Sequence, residues 1–147
     1  MKRFHAILHP TDFSEGSNVA FQYACDLARD YDIPLVIISV IQPVVTRGIA
    51  MEGIVLPYDF TELEAAAQKE LDELQPVGPG VRIEKWLRQG PPASTIVEAA
   101  NERKVDLIVM GTHGRTGIGR LLIGSVAEEV IRKAHCPVLT VKAPEPA

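Results

Sequence analysis

At 147 residues, 46% hydrophobic and 23% charged, the chain has the size and composition of one globular domain that buries about two thirds of its surface on folding. A formal net charge of −4 and a pI near 5.5 speak against a general binder of nucleic acid or anionic membrane, so any phosphate site must be local. No apolar run approaches about 18 residues without a charge or proline, and Met1-Lys-Arg-Phe-His5 lacks the apolar core of a signal peptide; the expectation is a single soluble, cytoplasmic domain over 1–147.

Phe4 to His9 is a short apolar run that closes on the proline-led turn Pro10-Thr-Asp-Phe-Ser14. A helix follows from near Ser14 to Tyr31, with Ser14 as its N-cap and Ala20, Ala24, Leu27, Ala28 and Tyr31 expected on the inward face. Asp32 and Pro34 stop it. Pro34 to Val40 is apolar without interruption, as strands buried on both faces are. From Ile41 to Tyr58 there is no period, and Pro43, Gly48 and Gly53 break the chain.

Helical structure resumes at Asp59, where Asp59-Phe-Thr-Glu62 resembles a capping box and Phe60, Leu63, Ala67, Leu71 and Leu74 form an apolar stripe. Val81 to Leu87 alternates in the manner of a partly exposed edge strand. Pro91-Pro92 opens a helix to Arg103, with proline at its tolerated first turn. Asp106 to Met110 is a buried strand, and a helix from Ser125 to His135 turns Val126, Ala127, Val130, Ile131 and Ala134 inward. Pro137 to Lys142 is the last strand. Cys25 and Cys136 form no Cys-x-x-Cys pair and read as small buried hydrophobes.

The alternation of strands and helices predicts an α/β fold, a three-layer α/β/α arrangement around a parallel sheet. Ligands of such sheets bind beyond the carboxyl ends of the strands, where the strand order reverses.

The stretch from Met110 to Val126 connects a strand to a helix and holds five glycines, with Arg115 and Arg120 its only charged residues. Glycine lets backbone N–H groups come close to a ligand, and the helix start at Gly124-Ser125 points the positive end of its dipole into the loop. Together these make an anion cradle. A Walker motif is excluded because no lysine precedes Ser125. The dinucleotide fingerprint is excluded because Leu122 stands where a third glycine would follow Gly117-x-Gly119.

The spacing Gly-x2-Gly-x9-Gly-Ser, met by Gly111, Gly114, Gly124 and Ser125, resembles the ATP-binding branch of the universal stress protein family, and the resemblance runs from Phe4 to Lys142. It implies a five-stranded parallel sheet in the order 3-2-1-4-5, of the adenine nucleotide alpha hydrolase-like type. That order makes neighbours of the first and fourth strands and brings together Pro10-Thr11-Asp12 and Met110-Gly111-Thr-His113-Gly114-Arg115. The resemblance implies ATP as the ligand, with any Mg or Mn bound through the phosphates. It implies that Asp12 holds the ribose and that backbone near Thr11 and Val40 meets the adenine. Gly111, His113 and Gly114 would line the ribose and α-phosphate side, and Gly124, Ser125 and Val126 would face the β- and γ-phosphates. An N-terminal carboxylate also favours the first helix's dipole, a role compatible with the other.

His9, Asp12 and His113 lack the local spacing of a metal site. The loop carries no acid to position a metal for phosphoryl transfer, and Ser125 has no nucleophile-elbow setting. The expectation is a binding module that senses or holds ATP. A ligand-free interaction protein and a weak ATPase are the alternatives. The last strand would form a bare sheet edge with apolar groups on both faces. The resemblance implies a homodimer through Pro137 to Lys142.

Overall fold

The computed structural model describes residues 3–42, 60–112 and 123–143. Nine elements alternate along the chain: β1 (Ile7–Pro10), α1 (Glu15–Tyr31), β2 (Leu35–Ile41), α2 (Phe60–Glu73), β3 (Ile83–Gln89), α3 (Pro92–Arg103), β4 (Leu107–Gly111), α4 (Ser125–Lys133) and β5 (Val138–Val141). The strands form one parallel sheet in the order β3-β2-β1-β4-β5, so the order reverses between β1 and β4.

Side-chain alternation along each strand divides the core in two. Leu8, Val36, Ile38, Ile108 and Met110 pack against α3 and α4, while Ile7, Leu35, Ile37 and Val109 pack against α1 and Leu71 of α2. This is why β2 reads as an unbroken apolar run: Leu35 to Ile38 are fully buried, with a helical layer over each face. Among the described residues no helix is long and apolar enough to cross a membrane.

Local chemistry sets the helix ends. Ser14 caps α1, its hydroxyl accepting from Ser17 N–H, and Asp32 closes it in the left-handed conformation (φ 52°) by donating to Ala28 and Arg29 carbonyls. α3 begins at Pro92, which has no N–H to leave unpaired.

Some expected details differ. Phe4 precedes β1 and meets Tyr31 edge-on at 5.2 Å, and Tyr31 is 55% exposed because the last turn of α1 runs past the start of the strand. The buried face of α1 is Ser17, Ala20, Phe21, Ala24, Cys25 and Ala28. Ile131, expected inward, is 44% exposed, since α4 lies over the edge strand β5. That helix ends at Lys133 rather than His135, ahead of the extended conformation that Pro137 favours at Cys136. His5 lies before β1 with its side chain 73% exposed beside Asp106. The expectations for 43–59, including the capping residue Asp59, and for 113–122 fall outside the described residues.

Two contacts at the β1–β4 centre of the sheet, one to α1 and one between the two strands, can be tested. Gly111, at the end of β4, faces the first turn of α1 so closely that a Cβ there would lie 3.1 Å from the carbonyl carbon and oxygen of Gly16. Backbone cannot rotate away as a side chain can. Gly111→Ala is therefore expected to lower stability by about 1–3 kcal/mol, measured by urea unfolding.

The second contact is His9, fully buried on β1, whose Nδ1–H donates to the Val109 carbonyl at 2.8 Å while Nε2 meets no polar partner among the described residues. Burial lowers its pKa from 6.5 to about 4, against smaller opposite effects of the Val109 bond and the Asp12 charge. The unfolded chain therefore binds a proton below about pH 6.5 that the folded chain refuses until about pH 4. This stability is complete above the upper value and is lost as pH falls through the window, by about 3 kcal/mol. His9→Leu should flatten that part of the stability–pH profile in denaturant titrations; an unchanged profile would refute the assignment.

Candidate nucleotide site

Because β1 and β4 are adjacent and lead to helices on opposite faces, a cavity of about 350 Å³ opens beyond their carboxyl ends. The structure places nine of the expected site residues on its wall: Pro10, Thr11, Asp12, Val40, Met110, Gly111, Gly124, Ser125 and Val126. His113, Gly114 and Arg115 lie outside the described residues.

Backbone bonds hold the rim. Thr11 N–H donates to Ile38 carbonyl at 2.9 Å, tying the end of β1 to β2, and Thr112 N–H donates to Val141 carbonyl at 3.1 Å, tying the end of β4 to β5. Gly124 N–H then donates to the Thr112 carbonyl at 2.6 Å, which brings the start of α4 back to the end of β4.

Gly124 caps α4 with φ −60° and no side-chain bond to the first turn, so Ser125 and Val126 begin the helix at the cavity wall with the positive dipole end toward it. Its φ is open to any residue, so the backbone conformation does not require glycine here. The start of α3, by contrast, offers two prolines, and Pro92 and Ile96 join Ile38 and Val40 in an apolar wall.

Asp12 is the only charged side chain among the described lining residues. Its Oδ1 accepts from Ser14 N–H at 3.0 Å and Ser17 hydroxyl at 2.7 Å, so the carboxylate supports the start of α1 while bordering the cavity. Phe13, between Asp12 and Ser14, takes a left-handed φ of 62°, its N–H donating to Thr11 hydroxyl at 3.0 Å.

Sequence reasoning missed Ser17, Ile38, Gln42, Pro92, Ile96, Thr112 and Ala127 in the wall. Pro92 was findable, since the start of α3 also lies at the carboxyl end of the sheet. His9, which the sequence allowed as a metal ligand, packs instead against Phe21 with ring centroids 5.5 Å apart. No group of three or more His, Cys, Asp or Glu among the described residues could hold a metal. Cys25 is buried and Cys136 half-buried, and burial raises the pKa of both thiols.

A family model, the Universal stress protein family, matches residues 3–142. A universal stress protein of Methanocaldococcus jannaschii is 39% identical over 146 residues, covering 97% of this chain and 84% of that protein. A universal stress protein solved in complex with cAMP superposes with a TM-score of 0.64 at 24% identity, covering 97% of this chain and all of that one (100%). One from Archaeoglobus fulgidus solved with dAMP superposes with a TM-score of 0.62 at 23% identity, covering 96% of this chain and 100% of that one. At such identities these two likenesses are of fold.

Proposed function

This chain belongs to the universal stress protein family, and from that premise we propose that it binds an adenine nucleotide, ATP first, as a single-domain sensor or switch of a stress response. The observation that carries the reading is that Asp12 and the start of α4, which has no side-chain cap bond, line one cavity. A dipole end favours phosphate, a carboxylate accepts from ribose hydroxyls, and the wall of Ile38, Val40, Pro92 and Ile96 suits a base. The cavity falls within the range of about 300–1,000 Å³ usual for small-molecule sites. The spacing of Gly111, Gly114, Gly124 and Ser125 supports the ATP-binding branch, and two proteins of this fold take cAMP and dAMP. The described wall carries one carboxylate, which favours binding over phosphoryl transfer, a chemistry that needs metal-positioning acids.

Calorimetric titration with ATP, AMP, GTP and cAMP tests the reading. At a hundredfold excess over its dissociation constant ATP should add about 2.7 kcal/mol, a melting rise of roughly 5–10 °C. Gly124→Val places methyl groups over the first turn of α4 and should weaken ATP far more than adenosine. Asp12→Asn keeps an oxygen for Ser14 and Ser17 and should weaken both. No heat and no melting shift with any nucleotide at millimolar concentration would defeat the proposal.

We further propose a homodimer through β5. The two sheet edges differ. On β3, Glu84 pairs with Arg103 at 2.8 Å, Arg88 pairs with Glu102 at 3.3 Å, and Arg88 lies over Trp86 at 4.6 Å. On β5, Leu139 is 38% exposed and its neighbours Val138 and Thr140 are uncharged. Charged groups blunt the first edge and leave the second able to pair. Leu139→Lys should convert a sedimenting dimer to a monomer. Val141 is unsuited to the test because it is buried. A wild-type monomer at micromolar concentration would rule the interface out.

A further inference from the structure

Ser17 is the polar member of an otherwise apolar face. Ala20, Phe21, Ala24, Cys25 and Ala28 bury the rest of that side of α1, and Ser17 among them is 6% exposed. A buried hydroxyl needs partners, and Asp12 supplies them: Ser17 Oγ donates to Asp12 Oδ1 at 2.7 Å and accepts from Asp12 N–H at 3.3 Å. Ser14 closes the ring, giving its N–H to the same Oδ1 at 3.0 Å and accepting Ser17 N–H on its hydroxyl at 3.3 Å.

Ser17 cannot drift away from this ring. The Cβ position of Gly111 lies 3.4 Å from Ser17 N, so the end of β4 backs the first turn of α1. Oδ1 is held by two donors, Ser14 N–H and the Ser17 hydroxyl, and the shorter bond, from Ser17, restrains the direction in which the carboxylate meets the cavity that Asp12, Ser17 and Gly111 all line.

We propose that Ser17 is a positioning residue: it holds the Asp12 carboxylate in the rotamer that accepts from the ribose 2′-hydroxyl, which makes the site select ribonucleotides over deoxyribonucleotides. The proposal rests on the adenine-nucleotide reading above. It assigns to a side chain on α1 a share of ligand discrimination exercised through its neighbour. A purely structural serine would affect stability and all ligands alike.

The test compares wild type, Ser17→Ala and Ser17→Thr. Three-bond couplings of the ligand-free proteins report the Asp12 side-chain torsion, and calorimetry gives affinities for ATP, 2′-deoxy-ATP and adenosine. The expected result is one dominant Asp12 rotamer in wild type and a shift of the rotamer populations away from it in Ser17→Ala, where the Ser14 bond remains and the shorter Ser17 bond is lost. In that variant ATP should weaken about tenfold, the loss of one hydrogen bond to a charged group. The preference for ATP over 2′-deoxy-ATP should shrink with it. The ratio of ATP to adenosine affinity, set by the start of α4, should hold, and Ser17→Thr should restore the couplings and the preference.

If wild type binds none of the three ligands, the nucleotide reading fails and this role with it. If wild type binds while Ser17→Ala keeps the wild-type Asp12 rotamer populations and the same preference for ribose, the positioning role alone is overturned, whatever the variant's melting temperature.

Discussion

Gly111 and the Gly16–Ser17 peptide meet with no side chain between them, and the geometry of the cavity depends on that approach. β1 and β4 are neighbours in the sheet, but their following helices leave on opposite faces, so a crevice between the strand ends follows from topology alone. Its width does not. The width is set by how closely α1 can settle on the end of β4, and that requires a residue without a Cβ at position 111. Glycine here is a packing requirement of the scaffold as well as part of the cavity wall.

The same reasoning separates the several glycines that make the sequence around 110–126 look like a phosphate loop. Gly111 answers to α1, whereas Gly124 has an ordinary φ and caps a helix with no side chain of its own. Two glycines that read alike in sequence therefore have different physical causes. A substitution at the first meets the Gly16 backbone, and one at the second puts a side chain at the start of α4.

Much of this was legible in the chain. β2 announced itself because a strand covered on both faces has no polar alternation to hide it, and Ser14 and Pro92 marked helix starts through their hydrogen-bonding chemistry. The convergence of Pro10-Thr11-Asp12 with Met110-Gly111 was legible once the strand order was inferred from the resemblance, since all strands of a parallel sheet point their carboxyl ends the same way. Tyr31 and Ile131 misled because helical periodicity gives the angle of a side chain around the axis, not whether the sheet extends beneath it. Ser17 was hidden for a related reason. A serine in a first turn looks like capping chemistry, and only burial reveals that its hydroxyl is committed to Asp12.

The two helix starts on the α3–α4 face also show why the cavity is polarised. A helix N-terminus ordinarily presents unpaired N–H groups, which draw anions. At α3, prolines at 91 and 92 remove two of those donors and put ring carbons in their place, and Ile96 one turn on continues the apolar surface. At α4 the cap is glycine, nothing covers the first turn from the cap side chain, and Ser125 adds a hydroxyl. One side of the cavity thus repels phosphate by desolvation and the other invites it, so an amphiphilic ligand of suitable length has one favourable orientation. That polarity resides in three or four residues at helix starts, outside the sheet that holds them.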